Sequence, residues 1–214
     1  MKSEHMALVN ALIHNGEAEL FRLIAAGADI NAHDKAGAPF VSSAVTLTAP
    51  PEHAPDPRPW LELIGKLIDL GADPTLLDDE GMSILVGPIF SQSTEMLELL
   101  LSRGVDPNHG CSEPWETIYD LAEFDYRHDV YLWAPVELGE PERRPQEDED
   151  AWIDRLDRNA LERGLQRPNL LSLLRRYGAL SRRETALKLG GDGSESILWS
   201  DGRWRIRSDT ASAS

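Results

Sequence analysis

One phrase recurs four times along the chain: an apolar run, a glycine, a small or apolar residue and, in the first three copies, an aspartate. The four glycines are Gly27, Gly71, Gly104 and Gly178. A glycine just past the last turn of a helix can adopt the left-handed conformation that closes the helix at little steric cost. The phrase therefore predicts four helices that end in the same way.

The spacing of these glycines follows one period with two interruptions. Gly71 and Gly104 are 33 residues apart, whereas Gly27 and Gly71 are separated by 44 residues, and Gly104 and Gly178 by 74. The two longer intervals exceed 33 residues by 11 and by 41. Self-similarity at a fixed period of this size indicates stacked repeats, each too small to bury its apolar face alone. The sequence predicts four such units with two insertions.

Three short motifs within the units resemble those of ankyrin-repeat proteins. Residues 34–40 and 78–85 are similar to the family's D-x-x-G-x-T-P-L opening, with Ala38 and Ser83 at the usual threonine position. Residues 116–122 are similar to the T-P-L-x-x-A start of the first helix of a repeat. The resemblance covers roughly residues 5–180 without the insertions. It implies a mainly α protein, an ankyrin-repeat solenoid of about four helix pairs.

Each unit is predicted to be a pair of helices, because apolar residues recur at helical spacing on both sides of a turn. Thr94 is the expected N-cap of its helix. The predicted pairs are 5–14 with 17–26, 39–47 with 59–70, 83–90 with 94–102, and about 115–126 with 168–177.

The insertions and the C-terminal end are assigned from composition. The first insertion, at about 48–58, contains four prolines and is expected to be a loop. The second, at about 129–167, is expected to contain an amphipathic helix after the acidic run 147–150. The repeat domain is thus 1–180. Residues 181–214 form an extension with a short helix, a Gly-rich linker at 190–194 and a small β-hairpin with an Asp-Gly turn.

Charge bears on the class of partner. The net charge of the chain is −16; residues 1–110 contribute −10, residues 111–180 contribute −7, and residues 181–214 contribute +1. An acidic body repels nucleic-acid phosphates and anionic lipid and attracts basic proteins. We therefore expect a basic protein partner, no nucleic acid and no membrane. The alternative interpretation is that the acidity serves solubility alone.

Other features of the composition concern the compartment. Cys111 is the only cysteine, so nothing in the sequence requires an oxidising environment. The chain contains no run of 18 apolar residues. The first apolar stretch is broken by Asn10 and His14 and does not resemble a signal peptide. We expect a cytoplasmic protein.

A search for catalytic or metal-binding constellations is negative. The six histidines are scattered, and no H-E-x-x-H or paired C-x-x-C motif occurs. His109 and Cys111 offer two ligands where a structural zinc site needs four. The stretch 190–193 lacks the G-K-[ST] ending of a phosphate-binding loop. We expect no cofactor, no metal and no enzymatic activity; a site in the 129–167 insertion is the disfavoured alternative.

Partner-binding residues are predicted from acids in the loops between helices and from aromatic and acidic residues near the second insertion. Aromatic residues are enriched at interface hot spots, although they can equally pack an inserted helix. Asp29 and Asp73 are expected to stabilise turns instead. The predicted partner-binding residues are Asp34, Asp78, Asp79, Glu80, Tyr126, Tyr131, Trp133, Glu147, Asp148, Glu149 and Asp150.

The sequence suggests a protein–protein interaction module. A small, acidic, cytoplasmic ankyrin-type protein with irregular insertions is similar to bacterial immunity proteins that occlude a basic toxin domain. The alternative function is a regulatory or scaffolding adaptor that binds an endogenous or host protein. The oligomeric state, the binding face and the docking of the hairpin, within the chain or on another copy, are left open.

Overall fold

A computed structural model describes residues 4–49, 57–111, 116–131 (backbone only for 129–131), 141–165, 170–200 and 202–207. Within these ranges the protein is mainly helical, with ten α-helices, one π-helical turn and one two-stranded antiparallel sheet. The chain divides into two compact units, residues 1–106 and 107–214. The extension predicted at 181–214 belongs to the second compact unit.

The first unit contains three helix pairs. Its elements are α1 (Glu4–Asn10), a π-helical turn (Ala11–Asn15), α2 (Glu17–Ala25), α3 (Phe40–Leu47), α4 (Arg58–Asp69), α5 (Val86–Phe90) and α6 (Thr94–Ser102).

The helices of the first unit pack in a regular order. α3 contacts α4 and α5 contacts α6 within their pairs. Between pairs, α1 contacts α3, α3 contacts α5, and α4 contacts α6. The core between these helices includes the fully buried side chains of Leu20, Phe40, Ile64, Ile89 and Leu97. Most of the predicted loop at 48–58 lies outside the described residues.

The four repeated glycines close four helices in the same way, as predicted. Gly27, Gly71, Gly104 and Gly178 follow α2, α4, α6 and the later helix α9 (Leu170–Arg176), with φ between 84° and 105°. At each, the glycine N–H donates to the carbonyl three residues earlier, and the next N–H donates to the carbonyl five residues before it. Gly164 closes its helix with the same two bonds. All four copies of the repeated phrase therefore end a helix with this closure, which also occurs outside them.

The described part of the second unit contains four helices and the sheet. Its elements are α7 (Ile118–Tyr131), α8 (Glu149–Glu162), α9 (Leu170–Arg176), α10 (Arg182–Lys188), β1 (Ile197–Ser200) and β2 (Arg203–Ile206).

Helix α8 lies within the second insertion, as expected, and begins inside the acidic run. Asp148 is its N-cap, and the carboxylate accepts a hydrogen bond from the Ala151 N–H at 2.8 Å. Trp152, Ile153 and Leu156 are buried. This face of α8 is therefore buried within the second unit. In the same unit, α7 contacts α9.

The C-terminal hairpin docks within its own chain. Trp199 lies opposite Trp204 in the register, with ring centroids 5.1 Å apart. The Trp204 Nε1–H donates to the Asn108 carbonyl oxygen at 2.8 Å, and Ile197 is buried. The preceding Gly-rich stretch folds as a turn in which the Glu195 carboxylate accepts from the N–H groups of Asp192 and Gly193 at 3.0 Å. The backbone donors that a phosphate would need there are already occupied.

One predicted helix start and one predicted N-cap are wrong. α5 begins at Val86 and not at 83, which places Pro88 in the first turn, where its missing N–H breaks no helical bond. Ser93 and not Thr94 is the N-cap of α6, since the Ser93 hydroxyl accepts from the Met96 N–H at 3.2 Å.

Candidate interaction groove

The first unit has an open groove of about 620 Å³ between α3 and α5. Helical periodicity divides α3 into two faces. Phe40, Val41, Ala44 and Val45 point into the core. The opposite face lines the groove and carries the intervening side chains, Ser42, Ser43, Thr46 and Leu47.

Helix α5 approaches α3 closely at Gly87, which also lines the groove. A Cβ atom on Gly87 would lie 3.3 Å from Val45 Cγ1. Leu47 and Phe90, the last residues of the two helices, line one end and are 49% and 54% exposed. Large apolar side chains exposed together at one place are typical of a binding surface.

Asp78 and Met82 line the groove at its opposite end, where the loop before α5 begins. The Asp78 carboxylate accepts from the N–H groups of Glu80 and Met82 at 2.9 and 2.8 Å. Asp34 does the same in the loop before α3, accepting from Ala36 and Ala38 at 2.8 and 3.0 Å. Both aspartates therefore shape their loops with one oxygen, Oδ1, and present the remaining charge at the surface.

The two loops lie side by side, since the Asp79 N–H donates to the Ala36 carbonyl at 3.0 Å. This contact brings four predicted partner-binding residues into two neighbouring loops. We call them the acidic rim: Asp34, Asp78, Asp79 and Glu80.

The acids predicted from 147–150 are engaged inside the second unit. Arg155 binds Glu147 at 2.6 and 2.7 Å, and this hydrogen-bonded pair lowers the pKa of Glu147 to about 2. Glu149 is only 3% exposed and binds Arg143 at 2.7 Å. Asp148 caps α8, and Asp150 accepts from Arg175 Nε at 2.9 Å. These bonds account for the four side chains without a partner protein.

The three predicted aromatic residues have different outcomes. Tyr126 is buried, and its hydroxyl donates to Asp157 at 2.8 Å. Tyr131 ends α7, and its side chain is not described. Trp133 lies outside the described residues. Of the predicted partner-binding set, the acidic rim is the part that the structure places beside an open groove.

Arg175 connects the helices of the second unit. Its guanidinium binds Glu184 at 2.6 and 2.9 Å and Asp150 at 2.9 Å, and lies 5.6 Å from the ring centroid of Tyr119. The Tyr119 hydroxyl is fully buried and has no hydrogen-bond partner among the described residues. Burial, together with the nearby charge of Glu149, raises the pKa of Tyr119.

A smaller acidic depression of about 340 Å³ lies beside α7. It is lined in part by Glu116, Asp120, Glu123 and Arg182. Burial raises the pKa of Asp120 to about 6, although the carboxylate accepts from the Thr117 hydroxyl at 2.7 Å and from the Arg182 N–H at 3.0 Å. Asp120 thus joins the start of α7 to the start of α10.

Metal sites and membrane spans can be assessed for the described ranges. No group of three or more His, Cys, Asp or Glu side chains in them could hold a metal ion. Among the helices seen in these ranges, none has the length and apolar character needed to cross a bilayer.

The sequence analysis predicted neither that one face of α3 lines a groove nor that Leu47 and Phe90 form its apolar end. The signal was present in α3, where the exposed Leu47 follows three small hydroxyl residues on the face opposite Phe40 and Val41. Phe90 at the end of α5 carries the same signal. The acids at 78–80 indicated the loop end of the groove, and the apolar residues that end α3 and α5 mark its other end.

The chain was compared with known proteins. It matches no protein-family model, and no curated protein is significantly similar to it in sequence.

Proposed function

We propose that this chain is an ankyrin-type repeat protein that binds another protein through the groove between α3 and α5 and the adjoining acidic rim. The observation that carries the proposal is the open, largely apolar groove with Asp78 at one end and Leu47 and Phe90 at the other. An apolar surface beside a polar, charged margin has the composition of a protein interface.

A recurring contact supports the repeat architecture. The Asn31 side chain bonds the Gly71 carbonyl and the Asp73 N–H at 3.0 and 2.8 Å. Asn108 makes the same two bonds, to Gly178 and to the N–H two residues later, at 3.0 and 2.9 Å. Both asparagines stand four residues after a repeated glycine. We interpret these two contacts as links between successive helix pairs in a solenoid of about four such pairs.

The partner we propose is a basic protein, most specifically a toxin domain that this chain neutralises as a cytoplasmic immunity protein. The net charge of −16 would raise the rate of encounter with a basic domain. The apolar groove would then slow dissociation, since short-range packing governs the lifetime of most complexes. Neutralisation would follow from occlusion of the toxin's own functional surface.

Co-expression tests this proposal. If a toxin-like reading frame lies beside this gene, its product should arrest growth alone and not when this chain is co-expressed. The purified pair should elute as one complex from a size-exclusion column. Binding to an endogenous, non-toxic protein instead would favour the adaptor function, and the absence of any protein complex would overturn the proposal.

A matched pair of charge reversals tests the role of the acidic rim. Glu80→Lys changes the rim, whereas Glu62→Lys makes the same change at an exposed position on α4 that does not line the groove. We expect Glu80→Lys to reduce the association rate several-fold at low salt and to weaken its salt dependence. Equal rates for the two variants would remove the rim from the interface.

A further inference from the structure

We infer that the groove is polarised along its length, and that it receives an amphipathic segment of a basic partner in one orientation. The segment places Lys or Arg at the acidic rim and a large apolar side chain between Leu47 and Phe90. This inference rests on the proposed function and adds the chemistry and the direction of the bound segment.

Charge separates the two ends of the groove. Asp78 is the one ionisable residue among the described residues that line it. The two rim loops, residues 34–38 and 78–82, contain four carboxylates and one cation, Lys35. A basic side chain is therefore attracted at the loop end, whereas an acidic one is repelled there.

Among the described residues that line it, the far end of the groove is apolar. Leu47 and Phe90 are about half exposed, although each ends a helix whose other large apolar residues are mostly buried. Covering such side chains is favourable in proportion to the apolar surface that is removed from water. An apolar side chain of the partner therefore gains more binding free energy at this end than near the rim.

The length of α3 sets the spacing of the two contacts. Its eight residues span about 12 Å at 1.5 Å per residue. In a bound helix the basic and apolar side chains are then about two turns apart, roughly seven or eight positions. In an extended segment they are about four residues apart.

The probe is a designed 12-residue helical peptide with two lysines near one end and leucine and phenylalanine seven or eight positions away. Two control peptides replace either the lysines by glutamate or the apolar pair by serine. Fluorescence anisotropy with the full-length protein should show binding of the first peptide, and at least tenfold weaker binding of both controls. Equal affinity of the three peptides would overturn the inference.

Orientation is measured with a nitroxide label on either end of the same peptide. The label at the lysine end should broaden the amide NMR signals of residues 78–82. The label at the apolar end should broaden those of Leu47 and Phe90. Identical broadening by the two labels, or broadening confined to other residues, contradicts a polarised groove.

Variants of the protein locate the site. Leu47→Ser with Phe90→Ser should weaken peptide binding at least tenfold, whereas Leu70→Ser, at a residue that is 53% exposed and lies outside the groove, should leave it unchanged. If the double variant still binds a partner protein with wild-type affinity, the inference fails together with the use of this groove, whereas the broader proposal that the chain binds a protein stands. If no protein partner binds the wild-type chain, the proposed function fails as well.

Discussion

The side-chain amide of Asn31 donates a hydrogen bond to the Gly71 carbonyl oxygen at 3.0 Å, across 40 residues of sequence. The amide oxygen simultaneously accepts from the Asp73 N–H at 2.8 Å. One side chain thus holds two backbone groups of the following loop. Asp29 orients Asn31 in turn, because its carboxylate accepts from the Asn31 N–H at 2.9 Å.

Replacing this asparagine should weaken the first unit. In Asn31→Ala the Gly71 carbonyl and the Asp73 N–H both lose their partner. Each lost bond costs about 1 kcal/mol, so we expect the free energy of unfolding to fall by about 1–2 kcal/mol because the loop is partly exposed to water. Urea denaturation of the full-length chain measures this difference.

Asn10→Ala is the matched control. Asn10 is exposed on α1 and has no hydrogen bond among the described residues. Alanine also has the higher helix propensity, so this variant should be as stable as the wild type or slightly more stable. Equal stability of the Asn31 and Asn10 variants would contradict the bridging role of Asn31.

The repeated helix ends could be predicted from sequence because they depend on local chemistry. A glycine such as Gly71 adopts φ of 105°, which other residues reach only with strain, so the residue type reveals the conformation. The aspartates after it were also assigned correctly, since Asp29 and Asp73 each accept from an N–H two residues later. The hairpin was likewise predicted from sequence, because an Asp-Gly pair separates its two strands.

The roles of the acids at 147–150 could not be predicted from sequence. A run of four carboxylates is typical of an exposed surface, whereas Glu149 is buried against Arg143 and Asp150 binds Arg175, 25 residues away. Such pairings depend on tertiary packing and leave no regular spacing. The groove was missed for a related reason, because an exposed Leu47 acquires meaning only when α5 lies beside α3.

Tyr119 and Tyr126 on α7 offer a matched pair of substitutions. Tyr126→Phe removes the hydrogen bond to Asp157 and should lower the free energy of unfolding by about 1 kcal/mol. Tyr119→Phe removes a buried hydroxyl without a partner among the described residues, so it should leave stability unchanged or raise it by about 1 kcal/mol. Denaturant titration compares the two variants. If both destabilise equally, the Tyr119 hydroxyl is hydrogen-bonded in solution.

Asp120 should make stability depend on pH. Its pKa is raised from 3.8 to about 6, so the folded state binds the proton more tightly than the unfolded chain does. The stability that Asp120 contributes by binding this proton is fully present below about pH 4 and is lost as the pH rises through 6. At 1.36 kcal/mol per unit, the free energy of unfolding should fall by at most about 3 kcal/mol across this interval.

Asp120→Asn should remove this part of the pH dependence, measured as the difference between variant and wild type from pH 4 to pH 7. Asp154→Asn, an exposed position on α8, is the control and should leave the wild-type profile in place. A profile that is the same in all three proteins would show that Asp120 does not titrate in this range.

Gly87 and Gly65 should respond differently to alanine. Both lie within helices, where alanine is favoured over glycine by about 1 kcal/mol. A Cβ atom on Gly65 meets no heavy atom within 4 Å, so Gly65→Ala should stabilise the protein by up to about 1 kcal/mol. On Gly87 the Cβ atom would press against Val45 at 3.3 Å and displace α5 from α3, which should cancel or reverse that gain. Thermal unfolding of the two variants measures the difference. Because Gly87 lines the groove and Gly65 does not, Gly87→Ala should weaken binding of the lysine-containing peptide, and Gly65→Ala should not. Equal stabilisation by both substitutions would show that α3 and α5 have room to separate.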